Sequence, residues 1–194
     1  MKRIVFIGTI ITLLAFTNKN SFVGTTSVFI TPESTLFVKG ATNVSSFICY
    51  YDINQLVKPI PIIFEKEANK IVFTKTTLVL DNAHFDCGHK GMNNDFQKLL
   101  KSDAYPKIFL TLKEIKKHEV NNNLIQASLD LKIAGVTSAY TVPVKMDTSN
   151  DMSVKGVLNL KLSDFNLEPP KKFLGLIVVK DAIEINFQLQ LKEK

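Results

Sequence analysis

The 194-residue sequence contains no tryptophan and only two cysteines. Two cysteines are too few for a disulfide-rich miniprotein or for a zinc module with four cysteine ligands. Intrinsic disorder is also excluded as the main state, because 45% of the residues are hydrophobic and only 22% are charged. The length favours one ordinary globular domain.

The common signatures of enzymes are missing as well. The chain has no Gly-x-Ser-x-Gly elbow, no His-Glu-x-x-His pair and no glycine-rich phosphate loop. We therefore predict no catalytic residues and no enzymatic activity. The segment His84–His89 contains potential metal ligands, but its spacing fits no zinc motif, so we predict no metal site.

Basic residues exceed acidic ones by 24 to 18, which gives a formal charge of +6. The lysines are scattered among apolar residues and form no continuous basic stripe, so we predict no nucleic-acid partner. Nothing in the pattern decides for or against a homodimer.

The first twenty residues have the layout of a secretory signal. Lys2 and Arg3 precede an apolar or small run from Ile4 to Phe16, and a polar stretch follows. The run is shorter than the ~20 apolar residues of a membrane span. We predict that residues 1–20 are a signal peptide and residues 21–194 the domain, in the periplasm or secreted, with no stable membrane span after cleavage. An uncleaved N-terminal anchor is the alternative.

Most of the remaining chain alternates between apolar and polar residues, which predicts strands with one buried face. Pro59 and Pro61 favour an edge or a loop over a central strand. About eight such strands predict an antiparallel sheet that packs on another sheet or closes on itself. The predicted strands are Thr26–Gly40 (broken at Pro32), Thr42–Ile53, Lys70–Asp81, Lys107–His118, Leu124–Gly135, Thr137–Asp147, Lys155–Asp164 and Asp181–Lys194.

One segment departs from this alternation. Residues Met92–Lys101 place Phe96, Leu99 and Leu100 at helical spacing, which predicts one short helix between strands. Asn93 or Asn94 is the expected N-terminal cap of this helix.

Four motifs, taken in order, resemble the YceI-like family of exported lipid-binding proteins. They are Val38–Val44 followed by Phe47, Met92–Phe96 with Leu99 and Tyr105–Ile108, Leu131–Thr137, and Leu160–Phe165. The resemblance implies an all-β fold, an eight-stranded antiparallel lipocalin-like barrel with one short inserted helix. It also implies a hydrophobic tunnel for a polyisoprenoid or similar long-chain lipid, and no cofactor; the bound ligand would be an isoprenoid quinone or a polyprenyl lipid.

The predicted function is therefore non-enzymatic binding or carriage of an isoprenoid or other long-chain lipid. The alternative is a filled barrel that acts as a structural or interaction module of the cell envelope, using its polar outer face or the Pro169–Lys172 loop. A hydrolase of lipid-like substrates is a weaker third class.

Alternation along the strands and the helical spacing predict which side chains would line a cavity, although each could equally belong to a plain core. Thr42 and Asn43 could contact a head group, or bond locally within their turn. The predicted lining residues are Phe47, Phe96, Leu99, Leu100, Tyr140, Val142, Val144, Leu158, Leu160, Leu162, Ile183, Ile185 and Phe187.

Export would also place Cys49 and Cys87 in an oxidising compartment. We predict that they form one disulfide; the alternative is two separate buried thiols.

Overall fold

The structure is a computed structural model. It describes residues 22–121, 123–148, 152–169, 171–172 and 176–193. The predicted signal peptide, residues 1–20, lies outside the described residues, and so does Pro170 of the loop named above.

The described residues form fourteen strands and one α-helix. In chain order they are β1 Phe22–Ile30, β2 Thr35–Ala41, β3 Ser46–Tyr51, β4 Ile60–Lys66, β5 Lys70–Lys75, β6 Thr77–Asp81, β7 Phe85–Asp86, α1 Lys90–Leu99, β8 Lys107–Lys117, β9 Ile125–Ile133, β10 Val136–Asp147, β11 Met152–Lys161, β12 Lys171–Lys172, β13 Ile177–Val178 and β14 Ala182–Glu193. Three short 3₁₀ turns cover Ile53–Gln55, Asn82–His84 and Leu162–Phe165.

Antiparallel pairing connects eight of these strands in a ring. The order is β1, β4, β5, β8, β9, β10, β11 and β14, and β14 pairs again with β1. Outside the ring, β2 pairs with β14, β3 with β2 and β7 with β3. Strand β6 pairs with β8, next to the part of β8 that pairs with β5. The predicted all-β class with an antiparallel sheet and one short helix is confirmed, whereas the predicted number of eight strands is too low.

Strand β14 is the point at which the ring closes. One edge pairs with β11 from Ala182 to Leu191. Its other edge pairs with β2 at Glu184–Gln188 and with β1 at Leu191–Glu193. A single twelve-residue strand therefore holds three neighbours.

Ser34 bridges the place where β14 changes partner. Its side chain is buried, with 4% of the residue exposed. The backbone N–H of Gln190 donates to Ser34 Oγ at 2.9 Å, and the N–H of Thr31 donates to the carbonyl of Gln190 at 2.9 Å. The turn between β1 and β2 thus satisfies the backbone groups of β14 that neither strand reaches.

The expectation of an edge or a loop holds for Pro59, which lies in a loop, whereas Pro61 belongs to a strand. Residues Ile60–Lys66 form a strand of the ring, with β1 on one side and β5 on the other. Pro61 pairs with Ser27 of β1, but the pairing with β5 starts only at Ile63. Because Pro61 lies beyond the end of β5, its missing N–H costs no ladder bond.

Three other boundaries also differ from the sequence prediction. The predicted strand Lys70–Asp81 is interrupted at Thr76, and the predicted strand Lys155–Asp164 ends in the 3₁₀ turn that begins at Leu162. The helix begins at Lys90 with His89 as its N-cap, so Asn93 and Asn94 are not caps.

The apolar core follows the predicted alternation. Val142, Val144, Leu158, Leu160 and Ile183 are all less than 9% exposed. No helix in the described part of the chain has the length and apolar character needed to cross a membrane.

We expect Ser34→Ala to destabilise the fold by about 1–3 kcal/mol, because the partly buried N–H of Gln190 loses its acceptor. Urea unfolding followed by circular dichroism measures this change. The exposed Thr141→Ala on β10 is the control, expected to change stability by less than about 0.5 kcal/mol. Equal effects of the two substitutions would show that Ser34 does not support the junction.

Candidate functional site: an apolar cavity beneath the helix

A cavity of about 280 Å³ lies inside one end of the ring, beneath α1. Its wall combines α1 with the inner faces of β2, β3, β11 and β14, and most of the side chains are apolar. Four polar residues also line it, namely Thr42, Ser45, Ser46 and Asp95.

The structure brings eight of the thirteen predicted lining residues to this cavity: Phe47, Phe96, Leu99, Leu100, Leu160, Leu162, Ile183 and Ile185. The other five, Tyr140, Val142, Val144, Leu158 and Phe187, belong to the apolar core and do not line it. Contact with a ligand stays a prediction for all thirteen.

A glycine allows Phe47 to lie along the wall of the cavity. Gly40 of β2 is the direct cross-strand partner of Phe47 in β3. The Phe47 ring covers this glycine so closely that a Cβ at position 40 would lie 2.2 Å from the ring atom Cζ. The absence of a side chain at position 40 therefore sets the position of the ring.

Tyr140 closes a gap in the ring instead of facing the cavity. Strand β10 pairs with β11 only from Val144 onward, so the earlier part of β10 has β9 as its paired neighbour. The Tyr140 hydroxyl donates to Asp164 Oδ2 at 2.8 Å, and its ring stacks on the fully buried Phe165. Burial, reinforced by this carboxylate, raises the pKa of Tyr140 above its ordinary value.

The Cys49–Cys87 disulfide forms part of the cavity wall. It connects β3 to the residue that follows β7, three positions before α1 begins. Both cysteines are buried, and both line the cavity. The bond therefore ties the chain just before the helix to β3.

Asn93 adds a second attachment at the same place. Its Oδ1 accepts the backbone N–H of Cys87 at 2.7 Å, and its Nδ2 donates to Asp86 Oδ1 at 3.0 Å. This hydrogen bond from Asn93, followed by one from the Gly88 N–H, lowers the pKa of Asp86. The first turns of α1 are thus held by a covalent bond and by polar contacts.

Residues 176–180 cross the tip of the β2–β3 hairpin. Asn43 Nδ2 donates to the carbonyl of Leu176 at 2.9 Å, and Asn43 Oδ1 accepts the N–H of Val178 at 3.1 Å. The backbone N–H of Lys180 donates to the carbonyl of Ala41 at 2.7 Å. These bonds bring Ile177 and Val179 to the cavity.

The turn after β11 is fixed by Asp181. This carboxylate accepts the Ser163 hydroxyl at 2.7 Å and the Ser163 N–H at 2.8 Å. The side-chain bond from Ser163, together with the backbone bond, lowers the pKa of Asp181. Because Leu162 and Phe165 of this turn line the cavity, Asp181 supports the wall from outside.

Alternation along strands could not have found every lining residue. Val38 and Ile133 share the inward face of their strands, so the period-2 pattern contains the signal for them. Leu167 and Val179 lie outside regular strands, and only the fold brings them to the cavity. Among the described residues, no group of three or more His, Cys, Asp or Glu side chains could hold a metal ion.

Comparison with known proteins agrees with the fold. The model of the YceI-like domain matches residues 54–191. The chain therefore belongs to the YceI-like family. A comparison with curated proteins found no significant match.

Three solved structures share this fold. Burkholderia cenocepacia BcnA is 19% identical with a TM-score of 0.60, over 84% of this chain and 99% of that one. A polyisoprenoid binding domain from Saccharophagus degradans is 15% identical with a TM-score of 0.58, over 89% of this chain and 100% of that one. A mutant Campylobacter jejuni YCEI protein is 18% identical with a TM-score of 0.50, over 63% and 73%.

Removal of the disulfide by the double substitution Cys49→Ala and Cys87→Ala should destabilise the protein by about 3–4 kcal/mol, since the bond closes a loop across 38 positions of sequence. Thermal unfolding measures the loss. A reductant should lower the melting temperature of the native protein to nearly that of the double variant. The melting temperature of the double variant should not respond to the reductant. An unchanged melting temperature would contradict this prediction.

Asp181→Asn should lower the melting temperature at pH 7 and have less effect in acid. The folded pKa of Asp181 lies below its unfolded value, so its stabilising contribution is present above the unfolded pKa and disappears as the pH falls through the folded pKa. Melting curves from pH 7 down to pH 2 test this, with the exposed Asp103→Asn as control. A constant difference between Asp181→Asn and the native protein across that range would refute the assignment.

Proposed function

We propose that this protein binds an isoprenoid or other long-chain lipid by placing its tail in the cavity beneath α1, as a carrier or sequestering protein without catalytic activity. The observation that carries the proposal is the cavity itself, whose wall is mainly apolar. A sugar or nucleotide would leave its polar groups unpaired there, whereas an alkyl or prenyl tail would not.

The fold similarity supports the same ligand class. One of the structures with this fold is a polyisoprenoid binding domain, and the shared fold supports a similar apolar ligand here. The disulfide in the cavity wall is compatible with an exported protein. We propose that residues 1–20 are a cleaved signal peptide and that the domain works in the periplasm or outside the cell.

The size of the cavity limits how much tail it can hold. Ligand pockets commonly span ~300–1,000 Å³, so the volume of about 280 Å³ lies just below that range. Burial contributes ~0.8 kcal/mol per methylene, or roughly 3–4 kcal/mol per five-carbon unit, while association costs an estimated ~4–15 kcal/mol. Micromolar affinity, about 8 kcal/mol, therefore needs a tail of several units.

We expect affinity to rise with prenyl chain length and then to level off once the cavity is full. Native mass spectrometry of the purified protein with prenols of increasing length measures this, and an organic extract of the protein reports any lipid that copurifies. Equal binding of short and long tails would contradict the proposal. A protein that yields no lipid and rejects all added tails would favour the ligand-free module.

A matched pair of tryptophan substitutions, one inside the cavity and one outside it, tests where the ligand binds. Ile185 lines the cavity, and Val157 is 41% exposed on the adjacent strand. Ile185→Trp should fill the space and reduce affinity at least about tenfold, the effect of losing roughly two buried methylenes. Val157→Trp should leave affinity unchanged, and equal effects of both would place the ligand elsewhere.

A further inference from the structure

The inward-facing residues of β14 show where the cavity ends inside the ring. Ile183 and Ile185 line the cavity. Phe187 is the next inward position, and it is half-buried but does not line the cavity. Leu189 and Leu191 lie further along the same face and are also only half-buried. On this strand, therefore, the single side chain of Phe187 separates the cavity from a more accessible part of the interior.

Strand β11, which runs beside β14, leaves a space at the same level. Leu158 is the first inward residue beyond the lining of this strand, and it is buried. The next inward position is Gly156, which has no side chain and pairs directly with Phe187. At the beginning of the strand, Met152 is 39% exposed. On β11, then, Leu158 is the only side chain between the cavity lining and the position that Gly156 leaves empty.

The ring of Phe187 occupies the space beside Gly156. A Cβ at position 156 would lie 2.7 Å from Phe187 Cζ and 3.1 Å from Val144 Cγ1. Val144 of β10 is the cross-strand partner of Gly156 on its other side and is buried. The tip of the Phe187 ring and the Val144 side chain therefore both lie over this glycine, and the ring covers the inward face of β11 just below the cavity.

The interior beyond Phe187 is also apolar. At the end of the ring opposite α1, the inward side chains of Met146 and Phe22 are 37% and 64% exposed, and Val154 is half-buried. Leu189 and Leu191 belong to the same region. A hydrocarbon chain that passed Phe187 would meet these side chains and would leave no polar group unpaired.

We propose that Phe187 closes the inner end of the cavity and thereby sets the longest tail that the protein binds. A tail that fills the cavity stops at this ring, and the remainder of a longer tail stays in water. Without the ring, the tail continues into the apolar region around Leu189. This inference rests on the proposed function and specifies the tail length that the same site selects.

Phe187→Ala tests the inference with geraniol, farnesol, geranylgeraniol and longer prenols, which share one head group and differ by five-carbon units. Displacement of the fluorescent probe N-phenyl-1-naphthylamine gives the affinity of each prenol for the full protein. The variant should reach its affinity plateau at least one five-carbon unit later than the native protein. It should bind the longest tails at least about tenfold tighter, the effect of about two further buried methylenes, and the short tails nearly as before.

Phe64→Ala is the matched control. Phe64 of β4 also covers a cross-strand glycine, since a Cβ at Gly24 would lie 2.3 Å from Phe64 Cζ, and it is half-buried but does not line the cavity. This variant should keep the native plateau. A general loss of stability would weaken binding of all tails alike, whereas removal of the barrier at Phe187 affects only the long ones.

Phe187→Leu keeps an apolar side chain in the core and serves if the alanine variant does not fold, which circular dichroism detects. It should tighten binding of the longest tails at least about threefold, the effect of about one further buried methylene. A native plateau in the folded Phe187 variant, or an equal shift in Phe64→Ala, would overturn this inference and leave lipid binding intact. Failure of every prenol to displace the probe from the native protein would overturn the proposed function with it.

Discussion

Closure of the sheet at β14 is the constraint on which the rest of the structure depends. Amphipathic strands in an open sheet would expose backbone groups along two edges and one apolar face. Here β14 hydrogen-bonds to β11 along one edge and divides its other edge between β2 and β1. Where β14 changes partner, the Ser34 side chain accepts the backbone N–H of Gln190. Closing the ring in this way encloses the apolar faces of its strands.

The division at β14 also explains why the cavity lies at one end. Strand β2 and its partner β3 extend the wall beyond the part of the ring that β1 closes, and their hairpin reaches the segment 176–180. At this end the interior is covered by α1, which has no fully buried residue within its ten positions. An apolar volume remains beneath this helix.

The apolar and polar pattern of the sequence predicts the strands that turn one side toward the interior of the sheet. Period-2 alternation indicates the inward side of β11 and β14, where Leu158, Leu160 and Ile183 are buried. The same pattern does not show that Tyr140 bonds to Asp164, because this contact depends on where β10 and β11 separate. Nor does it show that Pro61 belongs to a strand of the ring, because this depends on where β5 ends. Both features arise from pairing between distant segments, which no local pattern contains.

Different interactions stabilise the two parts of this molecule. The ring is held by continuous backbone ladders and by fully buried side chains such as Leu131 and Val142, which resist local opening. The cover of the cavity is held by a few discrete contacts, chiefly the Cys49–Cys87 bond, the Asn93 amide and the Asn43 amide. The cover is therefore attached through side-chain contacts and one covalent bond and not through a continuous backbone ladder.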